Sequence, residues 1–140
     1  MPQSSKNEAL VGELYAAAGA GDWNKVATLI TSDFRFIESD ALPVGGTYRG
    51  LREYRALFES VMTGAGRIEI DFTGMTSSDT HVIALLTLHF RDHDVTTPVA
   101  EMFRIVDGKV AEIVPYYLNP QLASKAFASV PELIRKKLSA

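Results

Sequence analysis

Apolar residues in the first part of the chain recur every three or four positions, and from residue 68 onward they recur at every second position. Leu10, Leu14, Ala17 and Ala18 predict a helix over about residues 6 to 19, opened by a capping box of Ser5 and Glu8 and stopped at Gly19 and Gly21. Asp22 is placed to cap a second helix, about 23 to 31, whose apolar stripe is Trp23, Val26, Leu29 and Ile30. Residues 34 to 38, "FRFIE", alternate as a short strand, and Pro43 with Gly45 and Gly46 marks a loop. A third helix, about 51 to 63, carries Tyr54, Leu57, Phe58, Val61 and Met62 on one side. Tyr48-Arg49-Gly50 shapes its start and leaves Arg49 as a candidate ion-pair partner.

The period then changes. "RIEIDFT" puts Ile68, Ile70 and Phe72 on one face, and "HVIALLTLHF" does the same for Val82, Ala84, Leu86, Leu88 and Phe90. "TPVAEMFRIV" and "KVAEIVPYYL" follow, joined at Asp107-Gly108, a pair that tolerates the positive φ of a tight hairpin. Asn119-Pro120 has the form of an N-cap with proline at the first helical position, so the tail from 121 to 140 is expected to be helical. Helices ahead of four strands in series predict an α+β domain. Its mostly antiparallel sheet would curve around the N-terminal helices into a cone-shaped, cystatin-like body with one open end.

Length and composition narrow the classes. The 140 residues, 46% hydrophobic, suit a single domain over 1–140 with its core in about 7–120. A net charge of −3 offers no basic surface to neutralise phosphates, so no nucleic acid is expected as partner. With no cysteine and only three histidines, neither disulfides nor a metal centre is expected. No apolar run reaches a membrane span and the N-terminus has no export pattern, which leaves the cytoplasm as the expected location and no membrane as partner.

Chemistry has to come from side chains placed against the apolar faces. In the strand around residue 101, period two puts Glu101 on the same face as Val99, Phe103 and Ile105, with Arg104 opposite. A carboxyl group on an apolar face must raise its pKa or find a hydrogen bond. It is therefore either an acid at a functional site or the structural partner of an arginine or tyrosine. Glu38 closes its strand where the chain leaves the sheet, a position for a base reaching into a cavity or for a solvated strand end. Asp40 is read as wetter, with contact to a ligand as the alternative. Tyr15, on the apolar side of the first helix, and Tyr117, on a strand face with Ile113 and Pro115, are candidate pocket walls. Trp23 is a packing anchor that could touch a ligand. His89 lies with Thr87 and Arg91 on the polar face of its strand, which is either wet or a subunit contact.

This order of elements, with "AGAGDWNKVATLITSDFRF", "GGTYRGLREYRALF" and "EMFRIVDGKVAEIVPYYLNP", resembles the SnoaL-like branch of the nuclear transport factor 2 superfamily, which includes ketosteroid isomerases, polyketide cyclases and limonene epoxide hydrolases. The resemblance spans about residues 7 to 120. It implies that Glu38 stands where the isomerases carry their general-base aspartate, and Glu101 where they carry the protonated aspartate that binds the oxyanion. The isomerase's oxyanion tyrosine falls on Leu14, one position before Tyr15, and both acids are glutamates here.

The expectation is an enzyme without cofactor, acting on a small hydrophobic carbonyl or cyclic compound. Glu38 and Glu101 would be catalytic, with Tyr15, Trp23, Asp40, Phe58, Phe103, Ile113 and Tyr117 around the substrate. Isomerisation, cyclisation and water addition all suit that apparatus. The alternative is a non-catalytic module that binds a ligand or serves assembly. A homodimer through the outer sheet face is expected in either case, as in related domains.

Overall fold

A computed structural model describes residues 2–140. It opens with helix α1 (Gln3–Gly19) and helix α2 (Trp23–Leu29), followed by strands β1 (Ile30–Glu38) and β2 (Gly46–Arg49) and helix α3 (Gly50–Gly64). Strands β3 (Ile68–Ser77), β4 (His81–Phe90), β5 (Val95–Val106) and β6 (Lys109–Tyr117) come next, and the tail forms a short helix α4 (Pro120–Ala123) and helix α5 (Val130–Ser139). The strands make one six-stranded sheet in the order β2-β1-β6-β5-β4-β3, in which β1 and β6 are parallel and every other neighbour antiparallel. The expected α+β architecture is therefore present.

The predicted capping box is not formed. α1 begins upstream of it, at Gln3 behind Pro2, with no side-chain cap. Lys6 N–H closes the first turn onto the Pro2 carbonyl at 3.2 Å. Ser5 and Glu8 thus lie inside the helix, and the Glu8 carboxylate accepts from the Ser77 hydroxyl on β3 instead. At the other end Gly21 takes φ +71, a left-handed turn that lets Gly21 and Asp22 N–H reach the carbonyls of Ala18 and Ala17. Asp22 caps α2 as expected, its Oδ1 accepting from Lys25 N–H at 3.1 Å. α2 ends at Leu29, two residues short of its predicted end, because β-branched Ile30 and Thr31 extend into β1 and Ile30 pairs with Val110 of β6.

β2 falls in the segment predicted as loop. Its four residues pair with the end of β1, Glu38 opposite Gly46. Arg49 N–H is held by the Glu53 carboxylate at 2.8 Å, which opens α3, and among the described residues the Arg49 guanidinium forms no ion pair. The Asp107-Gly108 hairpin joins β5 to β6 with φ of 51° and 73°. Two apolar clusters fill the cone. One, with Val11, Leu14, Val26, Phe34 and Phe103, lies between α1, α2 and the sheet. The other, with Leu42, Val44, Phe90, Phe127 and Val130, lies beneath the tail.

Candidate active site

A cavity of about 610 Å³ is walled by side chains of both clusters. Its polar pole is built from three strands and two helices. Strand period two turns Phe34, Phe36 and Glu38 of β1 inward, Val99, Glu101 and Phe103 of β5 inward, and Pro115 and Tyr117 of β6 inward. α1 contributes Tyr15 and α3 contributes Tyr54 and Phe58. Met62, Ile70 and Phe72 also line the cavity and are each about half exposed, so the mouth opens between α3 and the edge strand β3. Phe127, buried and edge-on to Phe90 (5.4 Å) and Tyr117 (6.3 Å), brings the tail over the cavity as a wall.

Glu38 and Glu101 both face this space. Glu38 is 5% exposed, and its Oε1 has no hydrogen-bond partner. Burial, and secondarily the charge of Glu101, pushes its pKa up to about 8. Glu101 is half-buried and lines the cavity. Burial raises its pKa too, but Tyr15 opposes the shift, its hydroxyl donating to Glu101 Oε1 at 2.6 Å. That short bond stabilises the anion. Burial, and after it the same carboxylate, holds the phenols of Tyr15 and Tyr54 protonated, and Tyr117 is held so by burial, Glu38 and Glu101. The Tyr48 hydroxyl, behind Glu38, donates to the Val44 carbonyl at 2.7 Å and is raised to about 12, chiefly by burial.

Of the residues expected at the site, Glu38, Glu101, Tyr15, Phe58 and Tyr117 line the cavity, and four do not. Phe103 and Ile113 are each 1% exposed in the first cluster, behind the cavity wall, with Phe103 edge-on to Tyr15 at 5.4 Å. Trp23 is also buried outside the wall, edge-on to Tyr54 and Phe58, with the Arg55 guanidinium 5.8 Å from its ring. Sharing a strand face with a site residue placed Phe103 and Ile113 on the right side of the sheet, but the cavity occupies only part of that side. Asp40 is exposed on the loop beyond Glu38. Among the lining residues not anticipated at the site are Phe36, Tyr54 and Phe127. The first two could have been found, since Phe36 shares the parity of Glu38 and Tyr54 heads the apolar stripe of α3. Phe127 sits in a tail whose docking leaves no periodic trace. Leu14 is core, and the helix turns Tyr15 to the cavity instead.

A carboxyl group held by a phenol and a second carboxyl group without a donor at Oε1 thus share one apolar chamber of a cone-shaped α+β domain. Residues 11–113 match the SnoaL-like domain, and the chain belongs to that family. An NTF2-like protein from Burkholderia xenovorans LB400 has a similar structure, with TM-score 0.70 and 21% identity over 88% of this chain and 96% of that one. A provisionally named SnoaL-like polyketide cyclase from Jannaschia sp. CCS1 superposes with TM-score 0.69 and 20% identity, covering 84% of this chain and 89% of its own. A provisionally named ketosteroid isomerase from Kribbella flavida DSM 17836 does so with TM-score 0.66 and 16% identity, covering 81% and 78%. These likenesses establish the fold. No functionally curated protein matches the sequence.

Proposed function

We propose that the chain is an acid/base enzyme for a small hydrophobic carbonyl or cyclic compound, and that it works with one proton shared between two glutamates. The observation that carries this reading is the asymmetry of the pair. Tyr15 donates to Glu101, whereas Glu38 Oε1 is buried without a donor. Glu101 therefore gives up its proton first, and its charge helps Glu38 to keep one up to about pH 8. As the one that ionises first, Glu101 is the base that takes a proton from substrate or from a bound water. Glu38 is the acid that hydrogen-bonds to, or protonates, the substrate oxygen. The roles are thus the reverse of those implied by the ketosteroid isomerase resemblance. Aromatic and aliphatic walls keep the chamber poor in water, which strengthens both interactions.

The test is turnover of a panel comprising a cyclic enone, a β-diketone and a cyclic epoxide, followed by chromatography. At least one compound is expected to be converted, with Glu38→Gln and Glu101→Gln each lowering the rate by about 10²- to 10⁴-fold. Both variants retaining the parent rate on a converted compound would sink the assignment.

The outer face of the sheet supports a homodimer. Leu85, Ala100 and Tyr116 form one row across β4, β5 and β6, and Ile83, Met102 and Val114 form the next. Leu85 and Tyr116 are 45% and 58% exposed. Polar rows close the patch at both ends, His81–Arg104–Glu112 at one and His89–Thr96 at the other, the arrangement of an apolar interface core with a polar rim. His89 belongs to that rim, between Asp71 at 2.7 Å and Thr96 at 3.1 Å.

A further inference from the structure

We propose that the cavity selects compounds carrying a positively charged nitrogen on an apolar body, with the ammonium group seated between Glu38 and Glu101. This rests only on the reading of the cavity as a small-molecule site: an ammonium there leaves Glu38 ionised, so such a ligand fills the site in place of a substrate of the acid/base step. Two carboxyl groups line the space, and no lysine, arginine or histidine does. The basic side chains around the acids point away: Arg35 pairs with Glu112 on the outer face, Arg104 stands in that face's row between His81 and Glu112, and Arg55 lies over Trp23 outside the wall. The titratable groups in electrostatic range of the two acids are Tyr15 from α1, Tyr48 from β2, Tyr54 from α3 and Tyr117 from β6, all neutral phenols. Among the described residues, no group lining the cavity supplies the positive charge that a buried carboxylate calls for.

Glu38 Oε1 is the second sign of a missing partner. It is a buried acceptor without a donor, on a side chain that lines the cavity. An ammonium brings three donors, enough for Glu38 and for the free side of Glu101. The rings of Phe36 and Tyr54, stacked at 5.5 Å with an interplanar angle of 22°, stand on the same cavity wall, and their faces are negative. A carboxylate or phenolate ligand would instead meet two acids. The volume of about 610 Å³ accommodates a drug-sized molecule, so an arylalkyl amine fits.

Binding has a proton signature. Glu38 holds a proton at neutral pH for want of a counter-charge, and an ammonium beside it removes that reason. The carboxylic O–H is lost to the buffer as the ion pair forms. Affinity for an amine therefore rises from pH 6 to pH 8, and proton release fades by pH 9, where Glu38 is already ionised.

The experiment is titration calorimetry of the full chain with 4-phenylbutylamine, 4-phenylbutanol and 4-phenylbutanoate, in two buffers of different ionisation heat. At pH 7 the amine is expected to bind about ten-fold or more tighter than the alcohol, releasing close to one proton. The butanoate should bind more weakly than either. Glu38→Gln, with its fold checked by circular dichroism, should lose the proton release, and Glu101→Gln should lose much of the amine preference. Equal or tighter binding of the alcohol, or amine binding without proton release, overturns the inference while leaving the cavity as a ligand site. If none of the three probes binds, the inference and the small-molecule reading fall together.

Discussion

Glu38 is a carboxyl group without a hydrogen-bond donor at Oε1, and its stability consequence has a definite sign. Its folded pKa of about 8 lies above the usual 4.5, so the native state holds the proton more tightly than the unfolded chain does. The stabilisation is complete below about pH 4.5 and is lost as pH rises towards 8. At about 1.4 kcal/mol per pKa unit, the loss is on the order of a few kcal/mol. Glu38→Gln, which imitates the protonated acid, should match the parent in urea denaturation at pH 5 and exceed it at pH 9. A parent stability that is flat from pH 5 to pH 9 contradicts this. For Tyr15→Phe the expectation is kinetic. Without the phenol, the Glu101 pKa rises further and the acid limb of the pH–rate profile moves to higher pH by about one unit, so activity on that limb falls roughly ten-fold while the plateau is kept. Both acids were legible as residues because strand parity is a strict rule. Their division of labour was not, since it hangs on a hydroxyl from α1, and a resemblance at one position could not show that Tyr15 rather than Leu14 turns inward.

At the scale of elements, the segment after Glu38 is pinned by Gly45. A Cβ there would stand 2.6 Å from the Ser39 carbonyl oxygen and 2.7 Å from Asp40 Cα, both backbone atoms with little freedom to give way. Gly45→Ala should cost about 1–3 kcal/mol in denaturant unfolding and lower turnover, because the turn that ends β1 also sets where Glu38 points. An unchanged midpoint with full activity refutes that coupling. The long elements from α1 to β6 were readable from period alone. β2 was not, because four residues after two glycines carry no period, and their strand form comes from pairing with β1. The start of α1 misled for a related reason: Ser5 and Glu8 have the spacing of a cap, but spacing does not say that the helix has already begun. Phe127 shows how much the tail matters. Its replacement by alanine should cost about 3–5 kcal/mol and enlarge the cavity, read by thermal unfolding and by binding of bulkier ligands.

For the whole molecule, the two sheet faces have separate tasks. The inner one forms the chamber, and the outer one carries the apolar rows proposed as the dimer contact. Leu85→Lys together with Tyr116→Glu should convert a dimer to a monomer in light scattering while the isolated fold persists; a parent that is already monomeric at high concentration rules the contact out. The chamber itself could be anticipated only in outline, as the open end of a cone. Its depth depends on how α3, the sheet and the tail fill the space, and that is a property of packed volume rather than of pattern. One asymmetry of the sheet bears on how a guest comes and goes. The two acids ride on β1 and β5, each flanked by strands on both sides, whereas the doorway at Ile70 and Phe72 belongs to β3, which has a neighbour on one side only. Breathing of that outermost ribbon can admit and release cargo while the proton-handling groups stay where they are, so amide exchange should be fastest along β3 and slowest along β5.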